Sequence, residues 1–483
     1  MHSSRLQPRL SSPPETSSHD PPPPQKPYLP NLHIPLPSPS PPPSAYLSPT
    51  LSATSRSPSP ATLDQSKVST TLPERIGPAR TFWLYVSGHG FGHATRASAL
   101  ASALLQHGHH LHIITQAPSF LFPSPSASCT YRVGAVDPGV VQPLPYVIDA
   151  DATFAGLANF LQPDYVQEWM KRETALLRLH SPAALLLDAP FLPALAAQSL
   201  SIPAFIVSNF TFDAVYAHLI RDIQDPALLA QAPRLVAQVT QAYQAAQGLF
   251  RLPGHIPTPI PPTVDLPLIS RVPHLSRATV RARLGLQAGM TPRLLLVTFG
   301  GQRVGEDGWG ALRVPQGWVA LLCGVSPSSL PPTLPKGFMC ADQKAYVPDL
   351  VGAADAVLGK LGFGTCAEVL ACGTPLIYVR RAQFAEEEGL LRLMDDRAHP
   401  AVEMLREEFE DGLWDRAIRK ALSEVGDKGK VPGWEVGGGE LSAISTLEEL
   451  LWRKDDENKK KGGAAMVELL DESINAGQMI PNA

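Results

Sequence analysis

Apolar residues in this chain come in short unbroken runs and seldom alternate with polar ones. The runs are Phe82 to Val86, Leu111 to Thr115, AALLLD over 183–188, PAFIVSNF over 203–210, RLLLVTF over 293–299, Ala356 to Leu358 and Pro375 to Val379. Each is bounded by Gly, Pro or polar turn residues, which predicts strands buried on both faces, as in a parallel sheet. Ala/Leu-rich helical stretches lie between them. One ends near Gly108, one spans Pro190 to Leu200, and SRATVRARLGL starts at the N-cap residue Ser276 and closes near Gly285. The strand, helix, strand order is that of an α/β protein with doubly wound parallel sheets. It breaks at LPGHIPTPIPPTVDLPLISRVP, too proline-rich for a helix or a central strand, and restarts at Arg293.

Two such halves predict two facing Rossmann-like domains with a cleft between them: 79–265, a linker 266–275, and 276–453. Before them, residues 1–78 are dominated by Pro and Ser, a composition with too few apolar side chains to offset chain ordering. A disordered, solvated tail is expected there, with contacts to SH3 or WW modules as its functional alternative. The end, 454–483, contains DDENKKKGG and reads as a charged, flexible tail.

Composition narrows the function. The 483 residues are 44% hydrophobic with a formal net charge of -4, so no basic field is available for a nucleic-acid partner. The five cysteines include no CxxC pair and read as free thiols in a reducing compartment. No run of 18 apolar residues and no apolar segment after a basic start occurs, so neither a membrane span nor a secretory signal is expected, and the expected location is cytoplasmic.

Three turns carry candidate chemistry. Ser87, Gly88, His89, Gly90, Phe91, Gly92 and His93 lie between a strand and a helix, where unpaired N–H groups and the helix dipole favour an anion or an electron-rich oxygen. Two imidazoles and Arg96 crowd this loop, although glycines in a tight turn with histidine caps would also account for it. The spacing GxGxG departs from the dinucleotide fingerprint, and no acidic residue closes the second strand at Thr115. The second turn, Gly300, Gly301 and Gln302, ends the first strand of the second half, where ligands of open α/β sheets collect. The third is Gly359, Lys360, Leu361, Gly362, Phe363 and Gly364 before a helix expected from Thr365, a candidate diphosphate cradle that is not a Walker A loop. Thr365 and Glu368 also fit a capping box, which competes with a ligand role for Glu368.

The stretch GKLGFGTCAEVLACGTPLIYVRR, followed by FAEE, resembles the nucleotide-binding half of family 28-type glycosyltransferases of the GT-B superfamily. SGHGFGHATR with LFRLPGHIPTPI resembles the glycosyltransferase-like N-terminal half of plant-type L-arabinokinases, and the resemblance runs from about Phe82 to Leu450. It implies a GT-B fold in which Glu368 holds the nucleotide ribose and the turns at Gly300 to Gln302 and Gly359 to Gly364 approach the diphosphate. It further implies Glu386 and Glu387 at the donor sugar and His93 at the acceptor side. The PxxxGLxSSSA loop of the accompanying kinase does not occur in this sequence, so sugar kinase activity is not expected.

The function expected from these residues is inverting, metal-independent transfer of a hexose-type sugar from a nucleotide diphosphate sugar, a UDP-sugar first, to an acceptor hydroxyl. His93, with Asp213 as the substitute, would take the acceptor's proton. The sugar nucleotide is substrate, and no cofactor or metal is expected. A non-catalytic sugar-nucleotide sensor is the alternative, and a scaffold acting through the proline-rich tail is a third reading. Asp149 and Asp151 imitate a DxD metal motif far from any phosphate loop, and His107, His109, His110 and His112 are expected on different faces as packing or surface residues.

Overall fold

The computed structural model describes residues 75, 77–286, 292–300, 313–324, 334–426, 430–433 and 438–456. All belong to one unit, running from Asp64 to Ala483. The first sheet has seven strands in the order β3-β2-β1-β4-β5-β6-β7: β1 Thr81–Val86, β2 His110–Thr115, β3 Cys129–Val133, β4 Ala184–Asp188, β5 Ala204–Ser208, β6 Gly248–Arg251 and β7 Pro262–Asp265. The second has six in the order β10-β9-β8-β11-β12-β13: β8 Arg293–Thr298, β9 Trp318–Cys323, β10 Phe338–Cys340, β11 Ala356–Gly359, β12 Leu376–Val379 and β13 Ala401–Met404. Neighbouring strands pair in parallel throughout. Both sheets thus follow the doubly wound order, in which the chain reverses direction across the sheet between β1 and β4 and between β8 and β11. Those switch points open crevices at the strands' C-terminal ends. This pair of facing Rossmann-like sheets is the GT-B architecture the motifs imply.

The unbroken apolar runs are explained by burial on both faces: β4, β5, β11 and β12 are buried at every residue. Within β1 the period-two rule still sorts side chains. Phe82, Leu84 and Val86 enter one core, and Trp83 and Tyr85 enter another on the opposite face. The first of these cores also takes in Leu294 and Leu296 of β8, so the two halves share apolar packing.

Element boundaries fall within a few residues of the apolar runs, with three differences. The proline-rich stretch does contribute a strand, β7, but at the sheet edge, where Pro262 costs no ladder bond. The second sheet continues past Val379 to β13, whose four residues, AVEM, are too few for a run to stand out. Residues 438–456 form a helix that returns to the first half, where Arg80 Nη2 meets Asp455 Oδ2 at 2.7 Å and Lys454 donates to the Ser201 carbonyl at 3.2 Å.

That helix also brings Glu448 onto two of the four clustered histidines. His109 Nε2 lies 3.0 Å and His107 Nε2 3.3 Å from Glu448 Oε1, all three buried, whereas His110 is exposed and His112 bonds Thr130. The expectation that these histidines stay apart is therefore corrected for His107 and His109. His109 Nδ1 accepts the Arg80 N–H at 3.2 Å, so its proton sits on Nε2 and points at Glu448, which leaves that nitrogen no lone pair for a metal ion.

Candidate functional site

The turn after β1 lies beside the C-terminal end of β4, because Val86 pairs with Asp188 across the switch point. Helix α1, Phe91–Gln106, begins directly after Gly90, and its first two turns present His93 and Arg96 to that carboxylate. His93 Nδ1 lies 2.8 Å from Asp188 Oδ1, while Arg96 donates from Nε to Oδ2 at 2.8 Å and from Nη2 to Oδ1 at 2.5 Å. Arg96 also donates to Ser208 Oγ, at the last residue of β5, and to Asn209 Oδ1, the residue after it. Burial raises the Asp188 carboxyl, but the charges and hydrogen bonds of Arg96, then of His93, outweigh it and hold the group below the usual carboxylate range. Asp188, Ser208 and Asn209 were not singled out from the sequence. Their signal was position, polar residues at or just past the C-terminal end of an apolar strand.

Asn209 extends the network to the second half by donating to Glu386 Oε1 at 3.0 Å. Two closer contacts join the halves. The Phe91 N–H, an orphan donor of the α1 N-terminus, is taken by the Gly300 carbonyl at 2.8 Å instead of being left for an anion. A Cβ on Gly364 would lie 2.7 Å from Thr95 Oγ1 and 3.3 Å from Gly92 Cα, so these two glycines allow α1 and α9, Phe363–Cys372, to abut. At these positions the glycines allow close packing across the cleft, and both also line the cavity between the halves.

Between the halves remains a cavity of about 1150 Å³, its open mouth included. From the first turn His89, Gly90, Gly92, His93 and Arg96 line it, but Gly88 does not. From the second half Gly300, Lys360, Gly362, Gly364, Thr365 and Glu368 reach it, as does Glu386. Gly301 and Gln302 lie outside the described residues. Gly359 is held inside the sheet, where a Cβ would meet the Thr298 carbonyl at 2.1 Å, and it does not line the cavity.

Two further site residues are placed elsewhere. Glu387 is taken up by Arg381, accepting its backbone N–H and its Nε, each at 2.8 Å, so it fixes an arginine at the cavity wall and does not line the cavity itself. Asp213 sits in the first turn of α5, Phe212–Leu219, and accepts from Thr240 of α6, Pro226–Gln244, at 2.8 Å. It is buried in helix packing and absent from the cavity wall, which removes the geometric basis for a proton-accepting role.

Glu368 forms no capping box. Helix α9 starts at Phe363, two residues earlier than expected, with Gly362 at the N-cap and no side-chain cap bond. The carboxylate instead accepts from Arg271 Nη2 at 2.7 Å and Nε at 3.2 Å, both on Oε1. Arg271, in the connection between the halves, lies over the Tyr346 ring, 5.2 Å from its centroid, and both line the cavity. Burial raises the Glu368 carboxyl, with Arg271 opposing. Lys360 is buried, and its ammonium is held well below its usual range by burial and then by Arg381, opposed by Glu386 and Glu387.

Asp149 caps α2, Ala150–Phe160, through the Ala152 N–H, and Asp151 accepts from the Gln224 and Asp225 N–H groups. Both carboxylates therefore have structural work in the first half. Among the described residues no helix is long and apolar enough to cross a membrane.

No protein-family model matches the chain. It is similar to L-arabinokinase of Arabidopsis thaliana, 33% identical over 390 residues, which are 79% of this chain and 35% of that protein. The chain thus spans about a third of the length of the curated relative it matches. Among solved structures it is similar to the glycosyltransferase SnogD from Streptomyces nogalater, with 17% identity, TM-score 0.45, and coverage of 77% of this chain and 100% of that one. It is also similar to a UDP-glucosyltransferase from Polygonum tinctorium, with 16% identity, TM-score 0.47, and coverage of 78% and 94%. The sequence likeness to L-arabinokinase agrees with the resemblance carried by the motifs.

Proposed function

We propose that the cavity takes a nucleotide diphosphate sugar, a UDP-sugar first, and transfers its hexose-type group with inversion and without a divalent metal to an acceptor hydroxyl. The observation that carries this reading is the division of the cavity wall. One side holds imidazoles at a helix start, and the other holds a carboxylate, Glu368, placed by a bound arginine among the turns of the second sheet. Arg271 occupies Oε1 of Glu368, so Oε2 is available to accept from ribose hydroxyls. In this reading the N–H groups at the start of α9, with Lys360 beside them, would face the negative charge growing on the departing diphosphate, and preorganised donors in a water-poor site stabilise such charge without a metal. The acceptor oxygen attacks the anomeric carbon as its proton passes to an imidazole, through an oxocarbenium-like transition state.

Thermal-shift measurement against UDP, GDP, ADP and their sugar conjugates tests the binding half. A ligand at a hundred times its dissociation constant adds about 2.7 kcal/mol of stability. Nucleotide release from the best donor with a panel of acceptors tests the chemical half. Two observations favour a second reading, a sugar-nucleotide sensor: Arg96 already neutralises the carboxylate beside His93, and the Phe91 to Gly300 bond holds the halves together. Binding without nucleotide release would decide for the sensor. No affinity for any nucleotide would remove both readings.

A further inference from the structure

Two imidazole–carboxylate pairs stand at the first turn, and they differ in what else the carboxylate holds. At His93 the partner Asp188 is shared with Arg96, whose Nη2 lies 3.0 Å from His93 Nδ1. Taking up a proton would set an imidazolium against a guanidinium, both buried, with one carboxylate between them. An imidazolium there would share its one counter-charge with a guanidinium already bound to it.

At His89 the opposite holds. Its side chain is 34% exposed and lines the cavity, and its Nε2 lies 3.5 Å from Asp137 Oδ1, a carboxylate with no exposed surface. Asp137 Oδ1 accepts from Ser87 Oγ at 3.1 Å, and Oδ2 has no hydrogen-bond partner among the described residues. No arginine or lysine among them pairs with it. The pair is also built to stay in place. A Cβ on Gly139, whose φ is +58°, would fall 2.0 Å from His89 Cδ2, and Tyr216 holds the Gly139 carbonyl at 3.0 Å, so the Asp137 to Gly139 turn forms a shelf for the ring. A buried carboxylate with a vacant oxygen is costly unless something uses its charge. An imidazolium at His89 would use it.

We propose that His89, backed by Asp137, takes the acceptor's proton, and that Arg96 has made the His93–Asp188 pair a structural tie. The inference rests on the glycosyl-transfer reading and deepens it. Nε2 keeps its proton toward Asp137, and Nδ1 receives the proton of the acceptor hydroxyl. The acceptor oxygen forms the new bond to the anomeric carbon, and the old carbon–oxygen bond breaks with its electron pair leaving on the diphosphate. Asp137 is a positioning residue that balances the imidazolium.

The test compares His89→Ala and His93→Gln by nucleotide release, donor KM and melting temperature. His89→Ala should lower kcat by about 10² to 10⁴ at unchanged donor KM, with partial recovery in added imidazole, and His93→Gln should lower melting temperature more than kcat. Full kcat in His89→Ala, or a larger kcat loss in His93→Gln at unchanged melting temperature, overturns the assignment. A wild type that turns over no donor defeats the transfer reading alone. The reactivity of the two imidazoles then decides the assignment, through carbethoxylation by diethyl pyrocarbonate mapped by mass spectrometry. Faster modification at His89, slowed by Asp137→Asn, upholds it, and equal or faster modification at His93 sinks it.

Discussion

Each half of this protein sends a switch-point strand into a glycine turn and then a helix, yet the two turns use their polar groups differently. After β1, His93 and Arg96 are spent on Asp188, Ser208 and Asn209, and the free N–H of Phe91 goes to Gly300. The result is a closed network whose charges cancel internally. After β11, Glu368 is held on one oxygen by Arg271 and lines the cavity with Lys360. A turn whose hydrogen bonds are satisfied within the protein contributes stability, and one with capacity to spare can serve a ligand. Glycine turns on opposite sides of the switch point, after β1 in one sheet and after β11 in the other, are therefore not alike as sites, and His89 is the part of the first turn that stays outside the closed network.

The comparison breaks most sharply at Arg96. Arg96→Met should cost about 3 to 5 kcal/mol, because Asp188 is left charged and buried. Chemical denaturation measures it, and a loss below about 1 kcal/mol would show that the network is not closed as described. On the open side, Glu368→Ala should weaken nucleotide binding about tenfold or more, a bond to a charged acceptor being worth roughly 1.5 to 3 kcal/mol. Calorimetry on His93→Ala should give wild-type nucleotide affinity, and a parallel loss there would erase the division of labour between the turns.

Gly364→Ala probes the seam between them. The new methyl group meets Thr95 Oγ1 and Gly92 Cα, so a cost of about 1 to 3 kcal/mol is expected, with a larger radius of gyration by small-angle scattering as the halves part. An unchanged radius would mean that Thr95 turns aside and the seam holds.

The smallest effect concerns pH and the two aspartates. Burial raises the Asp137 carboxyl, opposed first by His89. The stability linked to its protonated form is present below the unfolded value and lost as pH rises through the folded one. Asp137→Asn removes that loss, so its melting temperature should exceed that of the wild type at neutral pH, the gain vanishing as pH falls to the ordinary aspartate range. Asp188, whose carboxyl lies below that range, contributes stability that is lost only as pH falls through its lowered value. A melting-temperature difference between Asp137→Asn and wild type that does not change with pH would show that Asp137 carries no buried charge.

Residue by residue, the legible parts were those with a local cause. Ser276 caps α7, Arg277–Arg283, as its side chain and position require, and the positions of His89, Lys360, Glu368 and Glu386 at the cavity follow from turns at strand ends. Glu387 and Asp213 went astray because a carboxylate's partner is chosen in space. Arg381 lies six residues before Glu387 and Thr240 lies 27 after Asp213, and no spacing rule singles out either pairing. Arg271 was invisible for the same reason, as its carboxylate is 97 residues away.

The doubly wound architecture can be read from local pattern alone, because strands buried on both faces must be apolar without alternation and must be joined by helices. The same pattern shows where the glycine turns stand, since those turns follow the strands. Which polar groups of the turns cancel one another, and which remain for a ligand, follows from how the folded chain brings them together. Asp137, Asp188, Arg271 and Glu448 come from distant stretches of the chain, and electrostatic pairing in a buried site depends on a few ångströms of separation that local sequence does not encode.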